Sequence, residues 1–188
     1  MNLGRSEQDL WMGFVTSYEN KYQTGGLQHL LGWQIRKEIG SDIFNSYYKF
    51  TFVRNPWDRT VSQFAYMKQR PDLMEFLGMN LDTEFKSYLE LICLKKHVQW
   101  TPQVKFFLDQ DGSVLVDRIG RLEDFNQDSS EIFADLGLNS NILPSHANRS
   151  KRKSFSFYYS DQESIEMVAD IYALDIDFLG YQFVHPSD

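Results

Sequence analysis

The run Lys49-Phe50-Thr51-Phe52-Val53-Arg54-Asn55-Pro56-Trp57-Asp58-Arg59-Thr60-Val61-Ser62 decides the fold, because it places a strand, a turn and a helix end to end. Lys49 to Val53 alternates, with Phe50 and Phe52 on one face, and its aromatic and β-branched content favours an extended chain. Arg54 leaves the strand end. Asn55 suits a helix N-cap, and Pro56 suits the first helical position, where its missing N–H costs nothing. Asp58 falls in the first turn, where the helix dipole favours an acid. Trp57, Val61, Phe64, Ala65 and Met67 form the predicted buried stripe, which leaves Arg59, Ser62 and Tyr66 on another face. At about 1.5 Å per residue, Ser62 lies roughly 9–10 Å along the axis from the helix start, and an arginine spans much of that distance. An anion held between Arg54 and Ser62 is one reading of this spacing. A plain ion pair from Arg54 to a carboxylate, with Ser62 an exposed helix serine, is the other.

The string from Phe52 to Arg59, followed by Val61-Ser62, resembles a motif of sulfotransferases of the carbohydrate-sulfotransferase type (sulfotransferase family 2). Those enzymes use it to hold the 3′-phosphate of 3′-phosphoadenosine 5′-phosphosulfate (PAPS), so the resemblance makes Arg54 and Ser62 the phosphate ligands. Further blocks are similar to the family's in the same order. They are Lys96-His97-Val98-Gln99-Trp100-Thr101-Pro102-Gln103, Ile119-Gly120-Arg121-Leu122-Glu123-Asp124-Phe125, Leu143-Pro144, and Asn148-Arg149-Ser150. The closing stretch with Tyr158, Tyr159, Val168, Tyr172, Asp175, Ile176, Phe178 and Tyr181 is also similar, and the likeness covers residues 27–183. It implies an α/β fold with a P-loop nucleotide-kinase-like core, a parallel sheet flanked by helices.

Family members begin with a strand, a loop resembling Pro-Lys-Thr-Gly-x-Thr and a helix whose N-terminus cradles the 5′-phosphosulfate. The early glycines here, Thr24-Gly25-Gly26, follow the polar stretch Glu19-Asn20-Lys21-Tyr22-Gln23 and carry no loop lysine, so they read as a turn before a helix. The expectation is a single sulfotransferase-like domain over residues 1–188, incomplete at its N-terminus relative to the family and without the first strand of the sheet. Either a partner or the β-prone segment Trp11–Ser17 then covers the open edge, and self-association is one consequence of such an edge.

With 188 residues, 42% of them hydrophobic, the chain is long enough to bury one sizeable core. No apolar run nears the roughly 20 residues needed to cross a bilayer, and residues 1–7 lack a signal pattern, so a soluble cytoplasmic protein is expected. The single cysteine, Cys93, excludes an internal disulfide and reads as a packed helix residue. The net charge of −7 argues against broad binding to nucleic acid or anionic membranes. Yet Arg149, Lys151, Arg152 and Lys153 crowd four cations into five residues, and no acid occurs from Leu136 to Ser160. Spacing alone makes this a solvated charge run. In the resembled family a basic segment here completes the 3′-phosphate site, which makes these four residues candidates for that role.

The coarse pattern gives helices over 27–39, 83–96, 128–136 and 161–174, the last with Ser160 as cap, and a strand near Val114–Ile119. Sulfuryl transfer needs a base for the acceptor proton and cations beside the leaving oxygens; a metal is not required. His29 lies 25 residues before Arg54, where some sugar-sulfating relatives place a catalytic histidine, and His97 is the competitor. Residue type alone favours a structural histidine at each place. His146 is placed to meet nucleotide, His185 reads as idle, and Glu123 reads as an ion-pair partner. The expected partners are the PAPS donor and a carbohydrate or other polar hydroxyl acceptor. Two readings stand beside the enzyme: a non-catalytic 3′-phosphoadenosine-binding module and a structural protein on the same scaffold.

Overall fold

The computed structural model describes residues 29–138 and 154–184. Helices α1 (Gly32–Ile39) and α2 (Ser41–Ser46) lead into strand β1 (Phe50–Val53), which is followed by α3 (Pro56–Met67), α4 (Pro71–Leu77) and α5 (Phe85–Leu94). Strand β2 (Arg118–Arg121), α6 (Phe125–Asp135), α7 (Gln162–Ile171) and α8 (Ala173–Leu179) complete the described elements. β1 and β2 pair in parallel, from Phe50 opposite Arg118 to Val53 opposite Arg121. The described residues therefore form a helix-rich α/β fold around a small parallel sheet. A parallel pair needs a long crossover, and here α3, α4 and α5 supply it.

The sheet is covered by aromatic contact. Phe50 and Phe52 share a face, as the alternation predicts, and Phe52 packs on Phe125 of α6 with ring centres 5.0 Å apart. Gly120 makes this possible: a Cβ there would lie 2.7 Å from the Phe52 ring and 3.2 Å from Asp128 Cβ. Gly32 serves a similar close approach, since a Cβ at its position would lie 2.9 Å from the Phe106 carbonyl oxygen. That contact seats α1 on the turn at 103–106, and the Arg36–Asp109 ion pair at 2.6 Å reinforces it.

The core lies on the far side of β1. Trp57, Val61, Phe64 and Met67 of α3 pack with Leu73 and Leu77 of α4, with Phe85, Tyr88, Leu89 and Ile92 of α5, and with Val168 and Tyr172. Each such side chain contributes about 1.5–3 kcal/mol by leaving water. Val61 and Met67 are fully buried, whereas Ala65, also placed in the stripe, is half-buried. Trp57 donates its indole N–H to the Ile165 carbonyl at 3.0 Å, and the Tyr159 hydroxyl donates to the Trp57 carbonyl at 2.9 Å. These two bonds fasten α3 to the C-terminal helices.

Several boundaries differ from the sequence pattern. The second strand begins at Arg118, because Val114 instead forms an antiparallel bridge with Leu108 across a tight turn closed by Asp109 and Ser113. Helix α6 starts at Phe125 rather than 128. α7 is capped by Asp161, not Ser160; its carboxylate accepts from the Ser164 N–H at 2.8 Å. The periodic stretch 161–174 breaks at Tyr172, whose φ of −114° and ψ of 27° leave the helix before α8 resumes. Cys93 lies in α5 as expected but is exposed. Helices α2 and α4 had no counterpart in the sequence pattern. Trp11–Ser17 and Gly25-Gly26 lie outside the described residues. Among the described residues, no helix is long and apolar enough to cross a membrane.

Candidate functional site

Helix α3 starts as its sequence dictates. The Asn55 side chain accepts from the N–H groups of Trp57 at 3.0 Å and Asp58 at 3.4 Å, and Pro56 occupies the first turn. Glu123 holds the turn from outside by accepting the Asn55 N–H at 2.6 Å, and it also accepts from the Tyr181 hydroxyl at 3.2 Å. Its carboxylate is thus a hydrogen-bond acceptor for the strand-to-helix turn, and among the described residues it forms no ion pair.

Arg54 sits between β1 and this helix. Its backbone is gripped by the Gln103 amide: the Arg54 N–H donates to Gln103 Oε1 at 2.9 Å, and Gln103 Nε2 donates to the Arg54 carbonyl at 2.8 Å. Its guanidinium closes on Asp58, with Nε at 2.6 Å and Nη2 at 2.5 Å from the same oxygen, Oδ2. Both side chains are about one-fifth exposed, at 22% and 23%, so an incoming anion can compete for the guanidinium.

A cleft of about 390 Å³ opens beside this pair, and His29, Arg54, Arg59, Ser62 and Tyr66 line it. The structure therefore brings His29, Arg54 and Ser62 to one cavity. Its floor is a polar layer that residue spacing did not assign a role. Arg59 Nη2 donates to the carbonyls of Gln99 at 3.1 Å and Thr101 at 2.9 Å, and its guanidinium lies 5.2 Å from the centre of the Tyr172 ring. Gln63 donates to the same Gln99 carbonyl and accepts from the Tyr172 hydroxyl at 3.4 Å. Burial pushes that phenol up to about 12, which keeps it a donor. Arg59 Nη1 is buried 3.9 Å from Asp175 Oδ2 and has no hydrogen-bond partner among the described residues.

His97 takes a different place from His29. It is 2% exposed, stacks on Trp100 with ring centres 4.8 Å apart, and its Nδ1 accepts from the Gln99 N–H at 3.2 Å. Burial first, and the nearby charge of His29 second, push its pKa down to about 4, so the ring is neutral at pH 7. The two histidines are thus neighbours with unequal access: His29 lines the cleft and His97 is sealed beside it. Arg149, Lys151, Arg152, Lys153, His146 and His185 lie outside the described residues. Among the described residues, no group of three or more His, Cys, Asp or Glu side chains is arranged to hold a metal ion.

The residues missed at the sequence level are Gln103 and Asp175. Asp175 is fully buried on α8 and accepts from the backbone N–H groups of Gln103 and Val104, each at 2.9 Å. Both residues stood within similar blocks, but their partnership spans 72 positions and no local spacing signals it.

Comparison with known proteins agrees with this architecture. The Sulfotransferase family pattern matches residues 15–182. The chain belongs to the sulfotransferase family. An uncharacterized protein of Archaeoglobus fulgidus is 27% identical over 109 residues, covering 56% of this chain and 81% of the relative. No solved structure matches the chain significantly.

Proposed function

We propose that the protein transfers a sulfuryl group from 3′-phosphoadenosine 5′-phosphosulfate to a hydroxyl of a carbohydrate or other polar acceptor, on a P-loop nucleotide-kinase-like core. The observation that carries this reading is the convergence of Arg54, Arg59, Ser62 and His29 on one cleft at the C-terminal end of β1. Ligands of parallel α/β sheets bind outside the carboxyl ends of the strands. In this reading Arg54, just before α3, and Ser62, in the second turn of α3, hold the donor's 3′-phosphate. Arg149, Lys151, Arg152 and Lys153 complete that site.

When the donor is bound, it supplies an activated sulfur. The acceptor oxygen attacks that sulfur, the sulfur–oxygen bond to the phosphate breaks, and the acceptor proton passes to a base. His29 is the better candidate base, since it lines the cleft. His97 acts through its neighbours: its Nδ1 is committed to the Gln99 N–H, and its neutral ring orders the turn whose Gln99 carbonyl anchors Arg59 and Gln63.

The Arg54–Asp58 contact supports a second reading, in which the arginine is a structural ion pair on a non-catalytic scaffold. Incubation with ³⁵S-labelled donor and a panel of glycans separates the two. Labelled acceptor that disappears with Arg54→Ala supports the enzyme. Donor binding without transfer supports a binding module, and absence of both supports the scaffold.

A further inference from the structure

We infer that Gln103 and Asp175 are a positioning pair that sets the anion affinity of the cleft by fixing the backbone of Arg54; the inference rests on the donor-binding reading above. The regular β1–β2 ladder ends at Val53, whose carbonyl accepts from the Leu122 N–H at 2.8 Å. One residue further, a side chain takes over from the strand. The Gln103 amide both accepts the Arg54 N–H at 2.9 Å and donates to the Arg54 carbonyl at 2.8 Å, as a neighbouring strand would. A side-chain amide can do both at once, as can a protonated carboxyl, whereas a carboxylate cannot donate.

Gln103 is itself locked. Asp175 Oδ2 accepts from its backbone N–H at 2.9 Å and from Nε2 at 3.3 Å, while Oδ1 takes the Val104 N–H at 2.9 Å. A carboxylate with no exposed surface is costly unless its oxygens are filled, and these donors fill them. The result is a relay of fixed groups from α8 through Asp175 and Gln103 to the point where Arg54 enters the cleft. Among the described residues the guanidinium is paired with Asp58, and an incoming anion competes for that contact. Preorganisation therefore has to come from the backbone, where the pair acts.

Gln103→Glu tests this. At neutral pH the new carboxylate cannot donate to the Arg54 carbonyl and faces Asp175, whose charge raises its pKa, while the Arg59 guanidinium, 3.9 Å from Asp175 Oδ2, partly offsets that charge, and the Arg54 guanidinium is paired with Asp58; once protonated, the new side chain reproduces the amide's donor and acceptor. Binding of adenosine 3′,5′-bisphosphate is measured by calorimetry for the wild type and the variant at pH 8 and pH 5.5. The expected ratio of dissociation constants is about tenfold at pH 8 and within about twofold at pH 5.5. A ratio that is the same at both values overturns the inference.

Amide hydrogen exchange of the wild type supplies a readout free of both ligand and variant, and decides the matter if the variant does not fold. The Arg54 N–H is expected to exchange as slowly as the β1 ladder amides, and rapid exchange there overturns the inference. A wild type that binds no bisphosphate overturns the proposed function and the pair's role in affinity together. The exchange result then reports separately whether the pair fixes the strand end.

Discussion

Acid should destabilise this protein through His97 as the pH falls below about 6.5. The ring is 2% exposed, packs between Trp100 and Phe76, and uses Nδ1 as an acceptor for the Gln99 N–H. Protonation of Nδ1 turns that acceptor into a donor facing a donor and puts a cation in an aromatic slot. The folded-state pKa of about 4 lies below the ordinary 6.5, so between these values the unfolded chain binds more protons than the folded one. Stability from this group is fully present above pH 6.5 and is lost as pH falls through about 4. At 1.36 kcal/mol per pH unit, the loss is about 3 kcal/mol, a large share of the roughly 5–15 kcal/mol typical of a folded domain. Urea unfolding at intervals from pH 7.5 to 4 measures it, with His97→Asn as reference because Asn retains a neutral capping acceptor. The wild-type curve should fall more steeply than the variant's below pH 6, by a cumulative difference of about 3 kcal/mol at pH 4. Parallel curves refute the reasoning.

Other positions give sharper local tests. Gly120→Ala drives a Cβ against the Phe52 ring and Asp128 and should cost about 1–3 kcal/mol in urea unfolding, with the β1–β2 ladder amides exchanging faster. Asn55→Ala removes the acceptor for the Trp57 and Asp58 N–H groups and should cost about 1 kcal/mol, read as a lower midpoint of thermal unfolding. Asp58→Asn frees the Arg54 guanidinium from a partly exposed ion pair, so adenosine 3′,5′-bisphosphate should bind about two- to fivefold tighter by calorimetry. Weaker binding by that variant would mean that Asp58 orients the arginine instead of competing for it.

What the sequence made legible was local. The start of α3 was readable because Asn55, Pro56 and Asp58 each act within one turn, and the stripe Trp57, Val61, Phe64 and Met67 follows from helix period alone. The parallel sheet was an implication of the family resemblance, and β1 pairs in parallel with β2. The break at Tyr172 was hidden because the apolar rhythm of Ile165, Val168 and Ala169 continues up to it, and the packing of its ring against Arg59 is a contact that no local pattern signals. α4 carried signals that its short length masked: Pro71 at its first turn and Gly78, with φ +77°, at its end.

The site divided in the same way. Arg54 and Ser62, eight residues apart, were singled out by the family resemblance, since spacing alone left open an ion pair, and the pair that Arg54 makes with Asp58 is four residues apart. Gln103 reaches Arg54 across 49 positions and Asp175 reaches Gln103 across 72, through backbone bonds that side-chain pattern does not encode. The burial of His97 was equally invisible, since Phe76 lies 21 positions upstream and an imidazole looks alike in a core and in a catalytic dyad.

The central claim is that Arg54 and Ser62 clamp a 3′-phosphate, and the most direct test is calorimetric titration of the 188-residue chain with adenosine 3′,5′-bisphosphate beside Arg54→Ala and Ser62→Ala. The account predicts micromolar binding by the wild type, a loss of about tenfold or more with Arg54→Ala, and a smaller loss with Ser62→Ala, since charged hydrogen bonds exceed neutral ones. Binding that neither substitution weakens, or no binding by a folded wild-type chain, would contradict it.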